Sequence, residues 1–160
     1  RWIVSGAGNI LQGYAVDDDQ FINVGVEDHI RCVGFTPDNA EFVVGTRNWR
    51  LQTYPMAHGN KCTVNLKGHT TAIRSFAFSP DGKQLATAGL DGVIKIWDWK
   101  TREEALGLKM ENQEPVVQLQ FVAGKGLLAW PEAKTPVLFD GSPMPIPLSV
   151  NRDDPKSLGR

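Results

Sequence analysis

At 160 residues, with 41% hydrophobic and 9% aromatic side chains, the chain carries enough apolar material to bury a globular core. With 17 basic against 18 acidic residues and the signs interspersed, a formal net charge of −1 argues against a general polyanion-binding surface, so direct DNA contact is not expected of this segment. No apolar run approaches the ~20 residues of a membrane-crossing helix and Arg1-Trp2-Ile3-Val4 does not open a signal peptide, so no membrane partner is expected either.

Alternating apolar and polar residues between turn signals predict strands along the whole chain. The first are at 2–5, 9–16 and 21–24, followed by 29–35, 41–46, 50–56 and 62–66. A third set covers 72–78, 84–89, 93–99 and 104–110, and a fourth 116–121, 126–130 and 136–140. Ser79-Pro80-Asp81-Gly82 suits a type I turn, because Pro fixes φ at the second position and Gly relaxes the fourth; Thr36-Pro37-Asp38-Asn39 repeats it. Residues 141–160 hold four prolines and mixed charges and read as an irregular outer strand near 146–150 followed by a linker.

These sets are copies of one another. Shifting 68–99 back by 43 residues places Ile73 on Ile30, Arg74 on Arg31, Phe78 on Phe35, Pro80 on Pro37 and Trp97 on Tyr54. Shifting it forward by 43 places Ile73 on Val116, Phe76 on Leu119 and Phe78 on Phe121. Tyr14, Tyr54, Trp97 and Phe139 close successive apolar runs in this register.

The best copy opens on Gly68-His69 and closes on Trp97-Asp98, and it resembles a Trp-Asp (WD) repeat, one blade of a β-propeller. The expected fold is therefore all-β: a WD-repeat β-propeller segment of two full and two partial four-stranded blades. Their bounds are 1–25 (partial), 26–67, 68–110 and 111–140 (partial). At roughly 42 residues per blade, a ring of about seven blades needs about 300 residues. The chain is thus expected to belong to a larger ring, unless two copies complete one another. Cys32 and Cys62 fall on strands too far apart to bridge and read as reduced thiols of a nuclear or cytosolic protein.

The resemblance implies a buried relay in which Asp91 holds His69, His69 meets Thr87, and Thr87 meets the Trp97 indole. The second blade lacks the set: Val26 stands for the His, Asn48 for the Asp and Tyr54 for the Trp, so it must rely on apolar packing. As a catalytic His-Asp pair the same residues would need a nucleophile and an open pocket.

Other motifs point away from chemistry. Gly6-Ala7-Gly8 lacks the third glycine and the helix of a dinucleotide loop and reads as a tight turn. Asp17-Asp18-Asp19 lacks the alternation of a calcium loop. His29, His58 and His69 stand outside any zinc or acyl-transfer motif. We therefore expect no enzyme, no cofactor, no metal and no small-molecule substrate.

In a WD propeller the loops entering each blade and the turns between its second and third strands share one rim, where proteins or peptides dock. On this chain that rim carries Glu27, Asp28, His29, Arg47, Asn48, Trp49, Thr70, Thr71, Leu90, Gln113 and Glu114. Trp49, at a turn tip beside Arg47, is either an interface anchor or folds down onto the next blade.

The run Val16-Asp17-Asp18-Asp19-Gln20-Phe21-Ile22-Asn23-Val24-Gly25 is similar to the amino-terminal propeller of a replisome adaptor family, known as chromosome transmission fidelity factor or acidic nucleoplasmic DNA-binding protein. Thr53-Tyr54-Pro55, Ile94-Lys95-Ile96 and 126–131 agree with that family in order. The resemblance implies a non-catalytic nuclear scaffold joining the replicative helicase to DNA polymerase α, with this segment as an accessory module in replication and sister-chromatid cohesion. Alternatives are a WD scaffold in ribosome biogenesis, ubiquitin ligation or a vesicle coat, which leaves a cytoplasmic location open, and a histone-tail reader.

Overall fold

The computed structural model describes residues 1–56, 61–140 and 146–147, and in them the chain is a succession of antiparallel sheets. The first holds β1 (Trp2–Ala7), β2 (Ile10–Ala15) and β3 (Gln20–Gly25). The second holds β4 (Ile30–Phe35), β5 (Glu41–Thr46), β6 (Arg50–Pro55) and β7 (Val64–Lys67). The third holds β8 (Ile73–Phe78), β9 (Gln84–Gly89), β10 (Val93–Asp98) and β11 (Glu104–Lys109). The fourth holds β12 (Val116–Val122), β13 (Gly126–Pro131), β14 (Val137–Phe139) and β15 (Ile146–Pro147). In every sheet the strands lie side by side in chain order, each antiparallel to the next.

The expected strands and the observed ones agree to within a residue or two. Two strands differ by two residues at one end: β1 runs on to Ala7 rather than Ser5, and β7 starts at Val64 rather than Cys62, whose thiol turns back onto the Val64 carbonyl at 2.9 Å. A 3-10 turn at Glu111–Gln113, with Asn112 and Gln113 at φ 56°, was not legible from the pattern. The outer strand expected near 146–150 is present as β15; residues 141–145 and 148–160 of the expected tail lie outside the described residues.

Alternation alone decides which neighbour each strand packs on. On β5, Phe42 and Val44 face the first sheet, in a cluster with Leu11, Val24, Val26 and Tyr54, while Val43 faces the third sheet with Leu51, Ile73, Leu85 and Trp97. On β9, Leu85 faces back, whereas Ala86 and Ala88 face forward onto Val116, Leu119 and Leu127. Strands buried on both faces therefore read as continuous apolar runs. Burying an apolar side chain of this size contributes roughly 1.5–3 kcal/mol, so each interface between sheets is a core in its own right.

The two Pro-Asp turns are copies at atomic level. Thr36 Oγ1 donates to Asp38 Oδ1 at 2.6 Å and accepts from Glu41 N at 3.0 Å; Ser79 Oγ donates to Asp81 Oδ1 at 2.6 Å and accepts from Gln84 N at 2.9 Å. The hydroxyl and carboxyl close the turn before any tertiary contact is needed.

Candidate functional site

Antiparallel order puts the loops before β4, β8 and β12 at the same end as the β5–β6, β9–β10 and β13–β14 turns. Polar contacts tie loop to turn in the second, third and fourth sheets. Asp28 Oδ2 accepts from Asn48 N at 2.5 Å, and Thr71 Oγ1 accepts from Asp91 N at 3.3 Å in the equivalent place of the next sheet. In the fourth sheet the Lys134 ammonium reaches Glu114 at 3.0 Å. Arg50 spans to Glu27 at 3.5 Å, and Thr70 Oγ1 donates to Asp91 Oδ2 at 3.2 Å. Of the expected rim residues, Glu27, Asp28, Asn48, Thr70, Thr71 and Glu114 are thus brought together to hold the rim itself.

His29, Arg47, Trp49, Leu90 and Gln113 stand exposed beside them. Trp49 is 52% exposed, belongs to none of the apolar clusters, and sits at φ 65°, a left-handed conformation that a bulky side chain adopts at a cost of about 1–2 kcal/mol. The equivalent residue of the next sheet is Gly92 at φ 70°. An added Cβ on Gly92 would lie 2.7 Å from the backbone of both Gln113 and Glu114, so the side chain that the second sheet carries at this turn has no room in the third.

The relay residues converge in the third sheet, buried against the second. Trp97 Nε1 donates to Thr87 Oγ1 at 2.8 Å, and His69 Nε2 lies 2.7 Å from the same hydroxyl. Burial pushes the His69 imidazole down to about 4, so it is neutral at pH 7, although the Asp91 carboxylate opposes that shift. The expected Asp91–His69 hydrogen bond is not formed. Asp91 Oδ1 instead accepts from Val93 N at 3.1 Å and Oδ2 takes the Thr70 hydroxyl, a local Asx turn that outcompetes the imidazole, and His69 Nδ1 has no partner among the described residues. His69 Nδ1, Asp91 Oδ1 and Thr71 Oγ1 nevertheless enclose Gly89, where an added Cβ would meet them at 3.1, 2.6 and 2.7 Å.

This arrangement crosslinks strands and loop: the hydroxyl beside the imidazole, Thr87 Oγ1, is buried and already accepts the Trp97 N–H. Among the described residues no three His, Cys, Asp or Glu side chains cluster as metal ligands do, and no helix is long and apolar enough to cross a membrane. The Asp17-Asp18-Asp19 run forms an exposed turn in which Asp19 accepts from the Tyr14 hydroxyl at 2.9 Å, and Gly6 and Ala7 end β1. Sequence reasoning did not include Arg31 and Arg74 in the rim. Both align at the 43-residue repeat, but their position on a bulge became visible only through strand register.

Successive four-stranded antiparallel sheets, each closing its loop on its own turn and packing face to face with the next, define a WD-repeat propeller segment. Residues 60–98 match the family model "WD domain, G-beta repeat", so the chain contains a WD repeat. Similar proteins include the serine-threonine kinase receptor-associated protein of Dictyostelium discoideum, 33% identical over 61% of this chain and 33% of that protein. The ribosome biogenesis protein erb1 of Aspergillus clavatus is 33% identical over 49% of this chain and 9% of its own length. Human WD repeat-containing protein 3 is 29% identical over 61% and 10%. The chain spans a third or less of the length of these relatives.

Proposed function

We propose that this chain is a non-catalytic protein-interaction module that presents its loop rim to polypeptide partners. The observation that carries the reading is Trp49: a bulky residue held at positive φ, half-exposed and outside the core, retains strain that packing does not offset. Aromatic anchors of this kind dominate binding energy at protein interfaces. The test is Trp49→Asn in the intact protein, since Asn tolerates positive φ and the fold is kept. Affinity purification followed by mass spectrometry should then lose a defined set of partners that the unaltered protein retains. An unchanged set would refute the rim as the interaction surface.

The finer reading is an accessory propeller of a nuclear replisome adaptor. Its support is the likeness of 16–25, 53–55, 94–96 and 126–131 to that family; none of the relatives named above is such a protein. Replicative helicase and polymerase α subunits among the retained partners would support it. A role in ribosome biogenesis is the second reading, favoured by the relative of that name. It predicts that ribosome assembly factors replace the replisome subunits in the same experiment.

A further inference from the structure

The innermost strands of three sheets carry an irregularity at the same position. Register shifts between Ile30 and Cys32, between Ile73 and Ser75, and between Val116 and Gln118, leaving Arg31, Arg74 and Val117 as the extra residues of β-bulges. A bulge turns its residue out of the pleat and re-aims the side chain. A second set of equivalent positions follows from the backbone. Arg47, Leu90 and Glu132 each open a turn and donate their N–H to the carbonyl just before or at the start of their own inner strand's loop, on His29, Ala72 and Pro115.

Between the third and fourth sheets these two sets meet: Arg74 Nη2 donates to Glu132 Oε1 at 3.3 Å. One junction earlier the same relation sets Arg31 against Leu90, which offers no acceptor. There a cavity of about 370 Å³ opens, lined by Arg31, Ala72, Ile73, Arg74 and Leu90. Arg31 is exposed and makes no ion pair or side-chain hydrogen bond among the described residues. Repeat geometry therefore leaves one guanidinium without the carboxylate that its counterpart has.

We infer that the Arg31–Leu90 junction is a docking subsite for the carboxylate side chain of a partner polypeptide, with Glu132 as the built-in example of what it accepts. A carboxylate is favoured over a phosphoryl group by the donor set. Arg74 is already engaged by Glu132, leaving a single free guanidinium, whereas phosphoryl recognition draws on clusters of arginines. The exposed Leu90 side chain beside the guanidinium suits a Glu followed by an aliphatic residue. The subsite rests on the interaction-module reading and names the chemistry of its partner.

The test uses the intact protein on three arrays of random heptapeptides whose central residue is fixed as Glu, Gln or phosphoserine. Glu-centred peptides should be retained about tenfold more strongly than Gln-centred ones, as expected for loss of one charge-assisted hydrogen bond. Arg31→Gln should erase that preference. Leu90→Glu should erase it too by supplying the acceptor internally, which keeps the fold intact and so separates loss of the site from unfolding. Glu132→Leu should free Arg74 and add a second Glu-selective site. Equal retention of Glu and Gln peptides, a preference for phosphoserine, or full binding by Leu90→Glu would each overturn the subsite. If the Glu preference fails while Trp49→Asn still removes partners, the interaction module stands without it; if both fail, both go.

Discussion

Replacing Thr87 by Val isolates the relay from the packing around it. The two side chains share a shape, and Val44 already occupies the equivalent place in the second sheet, where it is fully buried. What is lost is the hydroxyl that joins the Trp97 indole at 2.8 Å and His69 Nε2 at 2.7 Å. Both nitrogens then lie in a region where Trp97 is 4% and His69 5% exposed, beyond the reach of water. Each buried polar atom left unpaired costs about 1–3 kcal/mol, so with two such atoms the substitution should cost roughly 2–6 kcal/mol. The readout is amide hydrogen exchange in the intact protein, followed in peptides covering β9 and β10. Their protection should fall at least about 30-fold, at tenfold per 1.4 kcal/mol. In a background of His69→Val and Trp97→Phe no donor is left waiting for the hydroxyl, and the same substitution should cost under about 1 kcal/mol. A cost below about 0.5 kcal/mol in the unaltered background, or an equal cost in both, would refute the relay as a coupled unit.

Three further outcomes follow. Because burial lowers the His69 pKa to about 4 from 6.5, the unfolded chain takes up this proton before the folded one does. The stability this group contributes is fully present above pH 6.5 and drains away as pH falls toward 4, a loss on the order of 3 kcal/mol that His69→Gln should abolish in a pH series of chemical denaturation. Gly92→Ala meets both the left-handed backbone and the chain at Gln113 and Glu114, and should destabilise by more than about 2 kcal/mol, whereas Gly25→Ala, with open space around its Cβ, serves as control in thermal unfolding. Burial pushes the Cys32 thiol up to about 12, so at pH 8 it should resist maleimide in the native protein and react on unfolding, as peptide mapping would show.

Much of this was legible in one dimension. Strand positions follow from alternation, and the hairpins from turn residues whose hydroxyl and carboxyl partners are two residues apart, as at Ser79 and Asp81. The resemblance to a WD repeat, rather than the 43-residue period, placed His69, Thr87 and Trp97 in one relay, and the physical reason is that a buried indole and imidazole each need a partner. Local chemistry misled at Asp91, where the backbone of Val93 and the hydroxyl of Thr70 lie closer to hand than the imidazole. The conformation of Trp49 was equally hidden, since nothing in its letter says that the turn demands positive φ. The junction between sheets was hidden most deeply. Whether Arg74 finds Glu132, and Arg31 only Leu90, depends on two segments brought together by packing of neighbouring sheets, 58 residues apart for the pair that forms. Periodicity and turn chemistry act over a few residues and so are written along the chain; the meeting of a bulge with the next sheet's turn is an outcome of tertiary packing alone.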